Sequence, residues 1–144
     1  MVYEKMAAEL IDARYNAQRV ATDRKVGKIL HGEVFALNFL FNHNNIAYPR
    51  ELSAAMNVST ARIARLLNKL ESENKIVRTP DPKDCRQILV TITQEGVAFV
   101  KEHKRRGVCI FSELLEKLGE EDAKEYVRIN KKIADILMQN FNQK

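Results

Sequence analysis

Apolar residues recur at helical spacing over most of the chain. Over residues 3–20 they return every three or four positions between charged residues, as in the narrow seam of a helix that packs against another helix. Residues 33–42 are apolar nearly all round, so we expect a buried helix there. Residues 94–118 and 121–141 repeat the helical period on either side of Gly119. The pattern predicts a helical chain with amphipathic ends.

Residues 49–73 form the pattern of two helices joined by a short turn. Pro49 favours the first turn of a helix, where its missing N–H costs nothing. Asn57 tolerates the left-handed backbone of a tight turn, and Ser59 can cap the following helix. That second helix, from Thr60 to about residue 73, carries its apolar residues on one face, namely Ile63, Leu66, Leu67 and Leu70. The segment predicts a helix-turn-helix.

A β-hairpin is predicted directly after the second helix. Asn74 can end that helix, and residues 76–79 and 87–92 are rich in β-branched side chains. The seven residues between them include two prolines, which rule out continued ladder pairing and predict a projecting tip with Lys83 and Arg86. Thr93 is expected to cap the next helix.

These elements predict a mainly α fold with a small β-hairpin wing, a winged helix-turn-helix flanked by terminal dimerisation helices. We expect residues 1–32 to form an N-terminal dimerisation helix, residues 33–93 the winged helix-turn-helix region that binds DNA, and residues 94–144 the C-terminal dimerisation helices, all interlocked as one domain. The terminal helices carry more apolar surface than so small a central module can bury. A homodimer is therefore expected.

Composition narrows the class of partner. A net charge of +5 and a pI near 9.3 favour an anionic partner, either nucleic acid or a membrane surface. No stretch approaches the roughly 20 apolar residues of a membrane-spanning helix, and no secretion signal is evident, so we expect a cytoplasmic protein without membrane attachment. Cys85 and Cys109 are far apart and predict neither a disulfide framework nor a zinc site.

The outward face of the second helix carries side chains that suit a DNA major groove. Arginine pairs with guanine, asparagine with adenine, and hydroxyl and lysine groups with phosphate. A charged helix face is more often simply solvated, but the basic wing next to it favours duplex DNA. The predicted DNA contacts are Ser59, Thr60, Arg62, Arg65, Asn68, Lys69, Lys83, Asp84 and Arg86.

Residues 49–96 resemble the MarR family of winged helix-turn-helix transcription regulators. The most specific match is Asp84-x-Arg86 followed by Ile92, Thr93 and Gly96, which is similar to the family's wing signature. The resemblance implies a triangular homodimer with recognition helices in successive major grooves and wing arginines in minor grooves. It implies that Arg86 is the wing-tip contact and that Asp84 orients it or a neighbouring basic side chain. Departures from the family pattern are Asn74, Lys75 and Cys85.

Other candidate sites have weaker support. Cys85 is a possible redox switch without an evident resolving partner, and Cys109 is expected to be a small core residue. The histidines have no metal-ligand spacing, so no metal site and no cofactor are predicted. The basic run from Lys101 to Arg106 is expected to be a solvated face or a contact to flanking phosphate. The histidines are His31, His43 and His103, and the run comprises Lys101, Lys104, Arg105 and Arg106.

The resemblance further implies a small aromatic or anionic ligand bound between the dimerisation and DNA-binding regions. Its wall residues by helix order are Arg14, Tyr15, His31, Phe35 and Phe39, although core packing is the plainer role for the two phenylalanines.

The sequence thus predicts a sequence-specific regulator, a repressor that binds a pseudo-palindromic operator as a homodimer. The alternative is a winged-helix module for protein–protein contact. An enzyme is not expected, because the chain lacks a glycine-rich phosphate loop and a nucleophile motif.

Overall fold

The computed structural model describes residues 2–18 and 32–141, except for the side chains of residues 14–18 and 140–141. The chain divides into two compact units between Arg105 and Arg106. The elements are α1 (Val2–Gln18), α2 (Gly32–Asn42), β1 (Ile46–Ala47), α3 (Pro49–Met56), α4 (Thr60–Ser72), β2 (Ile76–Pro80), β3 (Ile88–Ile92), α5 (Gln94–Leu118) and α6 (Glu120–Phe141). The prediction of a mainly α fold with a small β wing is confirmed.

The helix-turn-helix forms where the sequence predicts it. Pro49 is the first residue of α3, and the amide of Tyr48 just before it donates to the Glu51 carboxylate at 2.7 Å. Asn57 ends α3 in the left-handed conformation, with φ of 51°. Ser59 then caps α4 by accepting from the backbone amide of Arg62 at 3.3 Å. A short link therefore sets the angle between α3 and α4.

The core of the first unit lies between α2, α3, α4 and the sheet. The predicted apolar face of α4 is confirmed, because Ile63, Leu67 and Leu70 are buried and Leu66 is half-buried. Each buried aliphatic side chain of this size contributes about 1.5–3 kcal/mol relative to an exposed one. The other buried apolar residues are Ala36, Leu37, Leu40, Ala47, Leu52, Ile76, Val90, Ile92 and Val100. This core holds the outer face of α4 in place beside the hairpin.

The sheet has three antiparallel strands in the order β1-β3-β2. The predicted hairpin is present, with Val77 of β2 opposite Thr91 of β3. Strand β1, with Ile46 opposite Thr91, was not predicted, because two residues are too few to show an alternating pattern. Asn44 and Asn45 precede it in the left-handed conformation, with φ of 56° and 68°, so a turn leads from α2 into this strand.

The junction of α4, β2 and α5 depends on close backbone approach. Asn74 ends the α4 segment with φ of 57°, as predicted. Thr93 caps α5 as predicted, since its hydroxyl accepts from the Gly96 amide at 3.0 Å and donates to the Asn74 carbonyl at 2.6 Å. A Cβ on Gly96 would lie 2.2 Å from the carbonyl oxygen of Lys75, so only glycine fits. Lys75 is half-buried with its ammonium 3.8 Å from the Phe99 ring centroid, which explains how a lysine replaces an apolar residue here.

Two predictions about burial are wrong. Helix α2 is not buried all round, because its buried residues Ala36, Leu37 and Leu40 share one face while Phe35 and Phe41 remain 47% and 38% exposed. Cys109 is not a core residue either, since it is exposed on α5, as is its neighbour Val108. In both places the sequence shows apolar character, but a helix needs a neighbour on that side to bury it.

Candidate nucleic-acid interface

The predicted DNA-contacting residues of α4 lie on its exposed face. At 100° per residue, Arg65 and Asn68 lie directly opposite the buried stripe that includes Ile63 and Leu67. The residues Ser59, Thr60, Arg62, Arg65, Asn68 and Lys69 are all exposed. Arg62, Arg65, Asn68 and Lys69 thus share the exposed side of α4. Thr60, in the first turn, lies toward the cavity side with Ile63 and Ala64.

Lys69 is already engaged by a carboxylate at the edge of this surface. Its ammonium pairs with Glu33 in the first turn of α2, and that hydrogen bond raises the pKa of Lys69. The lysine side of the pair is largely exposed, and ion pairs exposed to solvent contribute little to stability. A phosphate can therefore replace Glu33 as the partner of Lys69 at small cost.

Arg78 of β2 joins the wing to α4 and was missed by the sequence analysis. Its Nε donates to Glu71 at 3.0 Å, its backbone amide donates to the same carboxylate at 3.1 Å, and its Nη2 donates to the Oδ1 of Asn68 at 2.8 Å. Bonding from Arg78 lowers the pKa of Glu71. The one sign of this role in the sequence is that Arg78 interrupts a run of β-branched residues that is predicted to form a strand.

Asp84 holds the wing tip through two hydrogen bonds, one from a backbone amide and one from a side-chain amide. One carboxylate oxygen accepts from the Arg86 amide at 3.1 Å and the other accepts from the Gln87 side-chain amide at 3.2 Å. Asp84 thus holds the turn that carries Arg86, and its role in orienting a basic side chain stays a prediction. Lys83, Cys85 and Arg86 are exposed at this tip.

A partly buried hydrogen bond fastens the tip end of β2 to the residue before α3. The Tyr48 hydroxyl donates to Asp81 at 2.5 Å, and Asp81 is only 5% exposed. The other oxygen of Asp81 accepts from the Lys83 amide at 2.8 Å. These bonds, the Tyr48 bond foremost, hold the pKa of Asp81 below its usual value. No local pattern predicts the pair, because 33 residues separate its members.

A cavity of about 540 Å³ opens between α3, α4 and the two wing strands. Its walls are largely apolar, and the guanidinium-bearing Arg50 and Arg78 are among its lining residues. The described residues that line the cavity are Tyr48, Pro49, Arg50, Thr60, Ile63, Ala64, Leu67, Arg78, Gln87 and Ile88.

Of the expected ligand-wall residues, Phe35 and Phe39 are the two whose side chains the structure describes, and neither lines this cavity. Phe35 is exposed, and Phe39 stacks on His43 with ring centroids 3.8 Å apart. His31 and the side chains of Arg14 and Tyr15 lie outside the described residues. The cavity thus belongs to the DNA-binding region itself, and not to the predicted ligand site.

The remaining candidates are separate from this surface. Within residues 2–18 and 32–141, no group of three His, Cys, Asp or Glu side chains could hold a metal ion. His43 bonds the Phe39 carbonyl at 2.8 Å, and His103 stacks on Phe99. Lys101, Lys104, Arg105 and Arg106 are exposed on α5, and Arg105 is paired to Glu102. No described helix is long and apolar enough to cross a membrane.

Comparison with known proteins points to one family. The model of the MarR family matches residues 31–88, which include α2, the helix-turn-helix and β2. The multiple antibiotic resistance protein MarR of Salmonella typhimurium is 31% identical over 86 residues, which are 59% of this chain and 60% of that protein. The alignment thus spans less than two thirds of this curated relative.

Solved structures show the same fold over more of the chain. The YusO protein from Bacillus subtilis is 24% identical, with a TM-score of 0.71 over 93% of this chain and 95% of that one. A mutant of Staphylococcus aureus MepR bound to an oligodeoxyribonucleotide is 18% identical, with a TM-score of 0.61 over 91% and 97% of the two chains. Similarity at this level of identity establishes the fold.

Proposed function

We propose that the chain is a member of the MarR family of winged helix-turn-helix transcription regulators, and that it is a sequence-specific DNA-binding repressor that acts in the cytoplasm on a pseudo-palindromic operator. The observation that carries the proposal is the exposed face of α4, where Arg65 and Asn68 lie opposite the core and Arg78 of the adjoining wing strand contacts Asn68. A helix of this size fits the major groove. Because DNA covered by the protein is not accessible to other DNA-binding proteins, binding should repress transcription.

Each proposed contact follows from the position of its side chain. Arg62 and Arg65 reach base edges, where arginine pairs with guanine. Ser59 and Thr60 lie at the amino end of α4, whose dipole and free amides favour phosphate. Lys69 exchanges Glu33 for phosphate. On the wing, Lys83 and Arg86 contact the backbone and the minor groove, while Asp84 fixes the turn.

The active form is a homodimer, supported by exposed apolar faces at both ends of the chain. Met6 and Leu10 of α1 are exposed, as are Ile133 and Leu137 of α6. Residues 1–32 and 94–144 are the proposed dimerisation regions around a DNA-binding region at 33–93. Two recognition helices would then read half-sites whose centres lie about 10 bp apart.

The cavity beside α4 is the proposed site of a small aromatic or anionic effector. Its apolar walls suit an aromatic body, and Arg50 and Arg78 suit an anionic group. Thr60, a proposed DNA contact, also lines this cavity. An effector bound there would compete with DNA at α4 and release the operator.

Selection of sites from a random duplex pool tests the proposal. The purified protein, at about 150 mM salt to weaken nonspecific phosphate binding, should enrich an inverted repeat with half-sites about one turn apart. Arg65→Ala should lose the enrichment. Arg128→Ala removes the same charge from α6, where Arg128 pairs with Glu125, and should keep it.

Failure to enrich any sequence would contradict the proposal. Binding that is indifferent to DNA sequence, with Arg65→Ala and Arg128→Ala behaving alike, would instead favour a module that uses its basic face for protein–protein contact.

A further inference from the structure

A carboxylate of α4 holds the wing strand β2 by its main chain. Strand β2 lies at one edge of the sheet, whose order is β1-β3-β2. The backbone amide of Arg78 donates to Glu71 at 3.1 Å, so it points away from β3 and toward α4. Because this bond involves the main chain, Glu71 fixes the position of the strand as well as that of one side chain.

The guanidinium of Arg78 adds further bonds on the same side of the strand. Its Nε donates to the other oxygen of Glu71 at 3.0 Å, which Nη2 also contacts, and Nη2 donates to Oδ1 of Asn68 at 2.8 Å. Arg78 and Glu71 are only 30% and 37% exposed, and hydrogen bonds with a charged partner are roughly twice as strong as neutral ones. We call Glu71 and Arg78 together the wing clamp.

The wing clamp lies between the base of the hairpin and its basic tip. Asp81, where the tip begins, is three residues beyond Arg78, which corresponds to about 10 Å along a strand. The Asp81 amide donates to the Gln87 carbonyl at 2.9 Å across the hairpin, so Arg86 follows the direction in which the two strands point. The angle between β2 and α4 therefore decides where Arg86 meets DNA once α4 lies in the groove.

Resting on the DNA-binding function proposed above, we propose that Glu71 is a positioning residue for the wing, which holds β2 against α4 so that Arg86 reaches DNA while α4 reads bases. From charge alone, a carboxylate near a DNA-binding surface weakens binding, because it repels phosphate. A positioning role has a different consequence, because the loss of Glu71 then lowers the contribution of Arg86 in particular. The two roles can therefore be separated by experiment.

The experiment breaks the wing clamp with Glu71→Ala, which removes both acceptor oxygens. Dissociation constants for the selected operator are measured with and without Arg86→Ala, in the wild-type and in the Glu71→Ala background. The fold loss of affinity caused by Arg86→Ala should be about 3- to 10-fold smaller in the Glu71→Ala background, which is the size of coupling seen between residues of one network.

Two controls separate positioning from charge and from stability. Glu73→Ala removes the same charge two residues further on, where Glu73 pairs with Lys75, and should leave the cost of Arg86→Ala unchanged. Arg65→Ala should cost the same with and without Glu71, because Arg65 belongs to α4 itself. A general loss of folding stability would act on both arginine contacts alike.

A second clamp variant guards against misfolding. Arg78→Met removes the guanidinium bonds of the wing clamp and should also lower the cost of Arg86→Ala. Thermal unfolding followed by circular dichroism shows whether each variant is folded. If one of the two clamp variants is unfolded, the other decides.

The outcomes separate this inference from the function on which it rests. An equal cost of Arg86→Ala with and without the wing clamp would overturn the positioning role while leaving DNA binding intact. Equal reductions with Glu71→Ala and Glu73→Ala would show that charge alone matters, and would overturn it too. If Arg86→Ala costs nothing in the wild type, the wing contact fails and this inference with it. If the wild type has no preferred duplex at all, the proposed function itself fails.

Discussion

In the first unit, the apolar side chains of α2, α3, α4 and the sheet are buried against one another, whereas α6 in the second unit exposes apolar side chains along its length. Leu67 is 2% exposed, while Leu137 is 58% exposed. Both belong to amphipathic helices of similar pattern. The difference shows that the winged helix completes its core within one chain, and that the apolar face of α6 needs another surface to cover it.

This contrast separates two requirements for reading DNA. In the proposed function, the winged helix supplies the shape and side chains that read one half-site. The spacing between two readers is not a property of one chain, and we assign it to the terminal helices of a homodimer. Changes in the first unit should therefore act on folding or base contacts, and changes on α6 should act on assembly.

The largest expected effect is on assembly. Ile133→Lys with Leu137→Lys places two charges on the exposed apolar face of α6 and should convert the protein to a monomer. Operator affinity should fall on the order of 100-fold or more, because the second half-site no longer binds as part of the same molecule. Light scattering and fluorescence anisotropy measure the two effects. The control variant, Lys131→Ala with Lys132→Ala, should remain dimeric. If the variant with the two introduced lysines stays dimeric and binds the operator with unchanged affinity, α6 does not have the assigned role.

Truncation of a core leucine should give the next largest effect. Leu67→Ala should lower the free energy of unfolding by about 2–5 kcal/mol at any protein concentration, because the cavity lies inside one chain. Leu137→Ala should lower the free energy of unfolding more at low protein concentration than at high, because the contacts it removes are expected to lie between subunits. Urea unfolding at two protein concentrations distinguishes them. Equal concentration dependence for both variants would remove the distinction between the units.

A smaller effect is expected where the wing meets α3. Tyr48→Phe removes the hydroxyl that donates to buried Asp81, so it should lower the thermal midpoint by less than Leu67→Ala does and weaken operator binding. Tyr126→Phe on α6 is the control.

The effect of Tyr48→Phe should also depend on pH. The folded-state pKa of Asp81 is lowered, so its contribution is present above the unfolded value of about 3.9 and is lost as the pH falls through the folded value. The difference between wild type and Tyr48→Phe should therefore shrink in acid. A difference that grows on acidification would show that the bond does not need the carboxylate.

The smallest effect is expected at the cap of α4. Ser59→Ala should cost about 1 kcal/mol, and Ser59→Gly only a few tenths, because the hydroxyl satisfies the free amide of Arg62. Chemical denaturation measures both. Equal losses for alanine and glycine would mean that the cap matters little beside the tertiary packing of α4.

Sequence alone predicts those parts of the fold that local rules decide. The left-handed residues Asn57 and Asn74, the cap at Ser59 and the apolar face of α4 are set by neighbours a few residues away, and all are confirmed. The hairpin follows from β-branched runs and prolines. These are short-range effects, and they place the outer face of α4 correctly.

Contacts between distant residues could not be predicted. The Tyr48–Asp81 bond joins residues far apart in the chain, and the Arg78 contact with Asn68 crosses from a strand to a helix. Lys69 is predicted as a phosphate contact but is held by Glu33 from another helix. The prediction for Cys109 is wrong because its burial depends on what covers α5. In each case the residue type indicates a chemistry, and the tertiary partner decides how much of it is available.

The most direct single measurement is the affinity of the purified protein for its selected operator relative to a scrambled duplex of the same length and composition, at about 150 mM salt. A pair of winged helices reading two half-sites predicts binding of one dimer per operator at least about 1,000-fold tighter than to the scrambled duplex. Arg86→Ala should lose most of that affinity and remain a dimer. Equal affinity for the two duplexes would contradict sequence-specific recognition by α4 and the wing.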